Sequence, residues 1–330
     1  MNPASTTHRL CTAPMMDWSD RHCRVFFREV APHARLYTEM IGTGALLHGD
    51  VAHHLDFDPV EHPLALQLGG SEPADLAHAA QLGAQWGYDE LNLNVGCPSE
   101  RVQRGAFGAC LMAEPRLVAD CVRAIRDAVS LPVSVKHRTG IDRVESYEFL
   151  RDFVGIVAEA GCEIFIVHAR NAWLKGLSPK ENRDVPPLRY DFVHRLKTDF
   201  PALTVVINGG ISELATMADQ LRHVDGVMLG RAAYQDSWCL AQAEAHLFGI
   251  DPPRTRAEVV AAMVAYAKRQ AENGVALRQI TRHMLGLYHG APRARLWRRM
   301  LSDPARLAAN DPGLLSEALE RVEGRFADAA

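Results

Sequence analysis

The sequence predicts an α/β fold, a (β/α)8 TIM barrel followed by a small C-terminal all-helical domain. Three observations carry this. Short apolar strand patterns alternate with longer helical ones eight times up to about residue 248, and no strand pattern follows the break Asp251-Pro252-Pro253. The 330-residue chain, 48% hydrophobic and 23% charged, is also long enough to bury one large core and still carry an appendage. An open doubly wound sheet is the competing arrangement, but no compact GxGxxG opens the first helix. The expected domains are 1–250 for the barrel and 251–330 for the helical unit.

Leu10-Cys11-Thr12-Ala13-Pro14-Met15 reads as the first strand and its exit, with a helix from Asp20 to Val30. The second strand is Leu36 to Met40 and the third Leu64 to Leu68. Gly69-Gly70 then leads to a helix from Pro73 to Trp86, where proline suits the first turn and Ser71 or Glu72 can cap it. The fourth strand is Glu90 to Asn94, with its helix at Pro115 to Ala128. Strands five to eight are Val133–His137, Ile164–His168, Thr204–Asn208 and Gly226–Gly230. Helical patterns follow the fifth at Ser146–Ala160, the seventh at Glu213–Leu221 and the eighth at Trp238–Leu247. Between the sixth strand and its helix, Asn171 to Tyr190 holds Lys175, Lys180, Arg183 and Arg189 with three prolines, an extended loop on the active face. Beyond the break, helices are expected at Arg256–Asn273, Ala276–Tyr288, Pro292–Met300 and Pro312–Arg325.

No apolar run approaches the roughly 18 residues that span a bilayer, and the N-terminus through Thr12 lacks the apolar stretch of a signal peptide. A soluble, cytoplasmic protein without a membrane partner is expected. Seven cysteines is an odd number and no CxxC pair occurs, so neither a disulfide framework nor a zinc knuckle is indicated. Cys11, Cys23, Cys110, Cys121, Cys162 and Cys239 read as small, largely buried hydrophobes. The net charge of −4 argues weakly against a nucleic-acid partner, but its distribution is uneven. From Asn273 to Ser302 there is no acidic residue, while Arg278, Arg282, Arg293, Arg295, Arg298 and Arg299 supply six positive charges. That excess is either a phosphate-binding patch or a solvated helix face.

In such a barrel the C-terminal strand ends surround the reaction site. The residues there include Pro14, Met15, Met16, Glu39, Gln67 and Asn94, then Cys97, Lys136, His168, Asn208-Gly209-Gly210 and Gly230-Arg231. With one thiol, one lysine, one histidine and several amides, but no cluster of histidines and carboxylates, no metal is expected. Cys97 follows an alternating strand where it opens into a loop, a place from which a thiol can give or take a proton. The glycine turns after strands seven and eight are either plain tight turns or a phosphate cradle, which the adjoining Arg231 would strengthen. Lys136 can snorkel, neutralise an anionic ring edge or form a Schiff base, and the amides of Gln67 and Asn94 favour the ring edge of a heterocycle. His168 is either a satisfied neutral imidazole or a hydrogen-bond partner of a cofactor or substrate. Met15 and Met16 offer thioethers to a flat aromatic face, although methionine in a core gap is equally ordinary.

With these residues placed, the chain resembles the tRNA-dihydrouridine synthase family, and within it the A-type bacterial branch. The resemblance rests on Ala13-Pro14-Met15-Met16-Asp17, Gln67-Leu68-Gly69-Gly70 and Asn92-Leu93-Asn94-Val95-Gly96-Cys97-Pro98, continuing through Val102, Gly105, Gly108 and Leu111. Val135-Lys136-His137-Arg138, Ile166-Val167-His168-Ala169-Arg170, Ile207-Asn208-Gly209-Gly210-Ile211 and Val227-Met228-Leu229-Gly230-Arg231 complete it across residues 10 to 235. Gly176 to Arg183 in the sixth loop is similar to the A-type members, which are associated with uridines 20 and 20a of the tRNA D-loop.

The resemblance implies an FMN-dependent enzyme that uses NADPH to reduce uridine to 5,6-dihydrouridine, with Cys97 protonating C5 as a thiol that keeps its proton until then. It implies that Gln67 and Lys136 face the flavin's pyrimidine side and that Pro14, Met15 and Met16 line its ring. His168, Asn208, Gly209, Gly210, Gly230 and Arg231 would bind FMN, mostly its phosphate, and Asn94 would touch the uracil or its ribose. A uridine must leave its stack to reach a barrel mouth, so backbone contacts from Lys180, Arg183, Arg295 and Arg298 of a monomeric enzyme would offset the extrusion. The alternatives are an FMN-dependent oxidoreductase acting on a free pyrimidine or other small molecule, a Schiff-base aldolase centred on Lys136, and a catalytically silent tRNA-binding protein.

Overall fold

The computed structural model describes residues 8–249 and 254–324, so the expected boundary at 250/251 and its prolines lie outside the described residues, as does Arg325. Nine strand segments, β1 (Leu10–Thr12), β2 (Leu36–Tyr37), β3 (Ile41–Gly42), β4 (Leu64–Gly69), β5 (Glu90–Val95), β6 (Val133–His137), β7 (Ile164–His168), β8 (Thr204–Asn208) and β9 (Gly226–Leu229), pair in parallel. Their order is β1-β9-β8-β7-β6-β5-β4-β2. The ring is completed at the β1–β2 seam by one bridge, Cys11 against Arg35, with Thr12 N–H donating to Arg35 O at 3.0 Å and Arg35 N–H to Leu10 O at 2.9 Å. The (β/α)8 barrel read from the sequence is the fold.

The second strand differs in detail. Both β2 and β3 pair with β4, so one barrel position is filled by two short pieces interrupted at 38–40. Thr38 accounts for the interruption. Its hydroxyl accepts the Gln67 N–H at 2.9 Å and donates to Glu39 O at 2.8 Å, replacing a ladder carbonyl with a side chain.

Helix boundaries follow local chemistry. Asp20 caps the helix Arg21–Val30 by accepting Cys23 N–H at 3.0 Å, and Ser146 caps Tyr147–Glu159 by accepting Phe149 N–H at 3.2 Å. Pro73 opens Pro73–Trp86, which Gly87 ends in the left-handed region at φ 91°. Glu72 precedes that helix without a side-chain capping bond. Thr255 and Glu258 form a reciprocal capping box on Arg256–Glu272.

The C-terminal helices are Arg256–Glu272, Leu277–Thr281, Ala294–Leu301, Pro304–Ala308 and Gly313–Glu323. The helix expected over 276–288 stops at Thr281. Beyond it, Gly286 backs onto the Tyr234 and Gln235 carbonyls so closely that a Cβ would lie 2.6 and 2.8 Å from their oxygens. One continuous buried apolar cluster runs from Phe26 in the barrel to Val259, Trp297 and Leu315. Polar contacts reinforce it: His22 Nδ1 and Tyr266 OH are 2.7 Å apart, and Asp20 Oδ2 faces Arg282 at 2.8 Å and His283 at 3.0 Å. Among the described residues no helix is long and apolar enough to cross a membrane. All seven cysteines are free, with Cys97 and Cys110 partly exposed and the other five buried.

Candidate active site

The mouth of the barrel gathers most of the strand-end residues that the sequence singled out. Parallel register places Asn94 beside Lys136 and His168 beside Asn208. Asn94 organises the thiol loop, because its Oδ1 accepts the Gly96 N–H at 3.2 Å and the Cys97 N–H at 3.0 Å. Cys97 is half-buried, and its Sγ lies 3.6 Å from Ser99 Oγ, the side chain that caps the short helix Glu100–Arg104. Ala109 N–H donates to Cys97 O at 2.9 Å, which brings the chain back over the thiol. Gly108 is required there: at φ 78°, a Cβ would sit 2.6 Å from Cys97 O.

Positive charge dominates the surroundings. Lys136 Nζ donates to Asn208 Oδ1 at 3.3 Å, and Asn208 Nδ2 donates to Met228 O at 2.8 Å. Burial pushes the Lys136 ammonium down to about 7, and Arg138 adds to that effect. The imidazole of His168 is held well below its ordinary value by burial and then by Arg138 and Lys136, so the ring is neutral. Its side chain forms no hydrogen bond with another described residue.

Arg138, which sequence reasoning quoted but gave no role, is a structural pivot of the mouth. The residue is 4% exposed, and its guanidinium donates to Gly96 O at 3.1 Å and to Asn182 O at 2.9 Å, tying the thiol loop to the long sixth loop. The available signal was the run Lys136-His137-Arg138 at a strand end.

After β8, Gly209 and Gly210 take φ 110° and 68°, left-handed geometry that glycine allows without strain. A Cβ on Gly209 would be 2.6 Å from His168 Cδ2, and one on Gly210 would be 2.6 Å from Leu188 Cδ1. Tyr190 OH closes this turn by donating to Gly209 O at 2.7 Å. Arg231 donates to Asp184 Oδ1 at 2.7 Å, and Arg183 lies in the field of the same pair. Gly230 faces the first strand exit, with Met15 Sδ 4.0 Å from its would-be Cβ. Pro14 and Met15 are half-buried there, whereas Met16 is 54% exposed. A neutral histidine, a desolvated lysine and several arginines near the glycine turn fit a phosphate-bearing anion.

The remaining candidates are spread over the surface. Lys180 is exposed on the sixth loop. Arg295 and Arg298 are exposed and border one surface depression of about 430 Å³ with His289 and Arg293. Arg299 borders a separate one with Asp303 and Arg306. Two arginines of the acid-free segment are engaged in structure: Arg282 with Asp20, and Arg293 with Gly324 O at 2.9 Å.

This arrangement defines a TIM-barrel enzyme whose mouth combines a glycine turn near cationic side chains with a loop-held thiol. A family model described as dihydrouridine synthase matches residues 11–323. The chain is 56% identical over 322 residues to the tRNA-dihydrouridine(20/20a) synthase of Xanthomonas campestris pv. campestris, covering 98% of this chain and 95% of that one. It is 54% identical over 324 residues to the protein of the same name from Pseudomonas aeruginosa, covering 98% of each. A solved 2-naphthoyl-CoA reductase complex shares the fold at 10% identity and a TM-score of 0.56, covering 73% of this chain and 50% of that one. The chain belongs to the dihydrouridine synthase family.

Proposed function

We propose that this protein reduces uridine to 5,6-dihydrouridine in the D-loop of tRNA, at positions 20 and 20a, with FMN as cofactor and NADPH as reductant. The observation that carries this is the loop-held thiol of Cys97 beside the buried cationic side chains of Lys136 and Arg138, in a chain matching the synthases of that name along nearly its whole length. FMN held by these residues would, when reduced, supply a hydride to C6 of the uracil. Cys97 gives its proton to C5, so the C5–C6 double bond gains hydride and proton and becomes single.

Lys136 and Gln67 hold the pyrimidine edge of the ring, and the low pKa of Lys136 lets an arriving anion recharge it. Pro14, Met15 and Met16 line the ring face. His168, Asn208, Gly209, Gly210, Gly230 and Arg231 form the phosphate end, with Arg231 held in place by Asp184. Asn94 meets the uracil or its ribose with the N–H left after its Oδ1 holds the thiol loop and its Nδ2 donates once to Gln67 Oε1. Residues 1–250 are the catalytic unit and 251–330 the tRNA-binding unit, where Arg295 and Arg298 contact the phosphate backbone together with Lys180 and Arg183 of the sixth loop. Extrusion of the target base costs a few kcal/mol, which these contacts offset. We read the protein as a cytoplasmic monomer acting on tRNA.

The test is to incubate the flavin-loaded protein with NADPH and unmodified tRNA and to map dihydrouridine by position. Product at positions 20 and 20a is expected. Reduction of free uridine as efficiently as tRNA would move the assignment to a small-molecule reductase.

A further inference from the structure

The interior of this barrel is divided. On the β7, β8, β9 and β1 side it is filled by Ile166, Val206, Met228, Cys11 and Ala13. On the β4 to β6 side, where apolar layers are the norm, polar side chains run from floor to mouth. Ser134 Oγ donates to Glu90 Oε1 at 2.5 Å, and Asn92 Nδ2 donates to Ser134 Oγ at 2.7 Å. Gln67 Nε2 then donates to Asn92 Oδ1 at 2.6 Å, and Asn94 Nδ2 to Gln67 Oε1 at 2.9 Å. The chain ends where Asn94 Oδ1 receives the Cys97 amide.

Every link points the same way. An ionised carboxylate only accepts, so Ser134 must donate to it, and each amide above must turn its NH2 downward and its oxygen upward. Glu90 is fully buried but is held ionised by His8 at 2.7 Å and Arg35 at 3.2 Å. Burial pushes its pKa up, yet His8, Arg35 and Ser134 outweigh this and leave it lowered. We propose that Glu90 is a positioning residue: through Ser134 and Asn92 it fixes which edges Gln67 and Asn94 present to flavin and uracil, and steadies the Cys97 loop. This rests on the function proposed above. A polar seam in a barrel core is costly unless fully satisfied, and here it satisfies itself while aiming two amides at the mouth.

Glu90→Gln reverses the demand at the floor. His8 and Arg35 take the single remaining oxygen and its NH2 faces Ser134, whose hydroxyl then donates upward; amides that flip to accept it turn their NH2 groups upward, where that of Asn94 conflicts with the Cys97 N–H. Ser134→Ala cuts the chain while leaving the charge on Glu90. Tyr37→Phe is the control, because Tyr37 OH also donates to Glu90 Oε1, at 3.1 Å, but lies off the chain.

In Glu90→Gln and Ser134→Ala the FMN Kd should rise and kcat fall by roughly tenfold each, with a shifted flavin absorption band and a tRNA KM within about twofold of wild type. The double variant should be no worse than Glu90→Gln alone. Tyr37→Phe should lower Tm without moving flavin affinity or spectrum. If Glu90→Gln does not fold, Ser134→Ala decides the matter by the same measurements. Wild-type flavin affinity, spectrum and kcat in a folded Ser134→Ala protein, or equal flavin changes in Tyr37→Phe, would overturn the proposal. A wild-type protein that binds no FMN or makes no dihydrouridine would instead overturn the proposed function.

Discussion

At the scale of single residues, Cys97 and Lys136 make opposite demands on the protein. In the proposed role Cys97 has to reach a base, and it is tethered through its backbone amide, with a longer Sγ contact to Ser99 Oγ at 3.6 Å. Cys97→Ala is therefore expected to keep its flavin and reduce it with NADPH, while dihydrouridine formation falls by about 10²-fold or more. Single-turnover assays with pre-reduced enzyme would read this, and full turnover would assign the proton to another acid. Lys136 carries its charge at the expense of stability. Its pKa is about 7 when folded against about 10.4 unfolded, so between those values the unfolded chain binds more protons and stability rises with pH. Below pH 7 the full burden of the buried charge is present. Lys136→Met should accordingly raise the Tm of the flavin-free protein most at pH 6 to 7 and progressively less toward pH 10. The same change should weaken FMN binding by at least about tenfold, because the charge partner of the bound ring is lost. A melting series across pH with and without FMN separates the two effects.

At the scale of elements, the strand ends were legible because each carries a residue type that a barrel core does not need, such as Lys136 at the end of β6 or the glycines after β8. What was not legible was which loops those residues would hold together. Arg138 binds carbonyls 42 and 44 residues away in opposite directions, Gly96 and Asn182, and no local pattern records such a contact. Glu90 and Asn92 were visible only as alternation within a strand, and whether that polar face looked inward depended on barrel closure. The turn after β8 offers a direct test. Gly209→Ala places a methyl 2.6 Å from His168 Cδ2 at a φ of 110°, so a loss of at least about 1–3 kcal/mol in stability or flavin affinity is expected. Titration with FMN would detect it. Unaltered binding would show that the cradle lies elsewhere.

At the scale of the whole molecule, the C-terminal helices are locked to the barrel through the loop that follows β1. Asp20 caps the first barrel helix and also faces Arg282 and His283, and its carboxyl is lowered to about 2. Burial opposes that shift, and the hydrogen bond and charge of His283 overcome it. The stabilisation is thus complete above the ordinary aspartate value near pH 4 and is lost as pH falls through about 2. Asp20→Asn should cost about 1.5–3 kcal/mol at neutral pH, read by denaturant unfolding, and the deficit should shrink in strong acid. The exposed arginines act at the same scale. Replacing Arg295 and Arg298 together should weaken tRNA binding and reduce the slope of log affinity against log salt by about 1–2, leaving FMN bound. An unchanged slope would remove them from the tRNA surface.

The sequence by itself determined the barrel, the order of its strands and the chemical types at its mouth, because period-two and helical patterns, glycine turns and strand-end residues are local properties of the chain. The tertiary structure decided what distant residues do to one another. It split the second strand around Thr38, packed Gly286 against the Tyr234 carbonyl, took Arg282 out of the basic patch and joined Glu90 to Cys97 through the core. These outcomes depend on desolvation and on hydrogen bonds between segments far apart in the chain, and those are fixed only when the barrel closes.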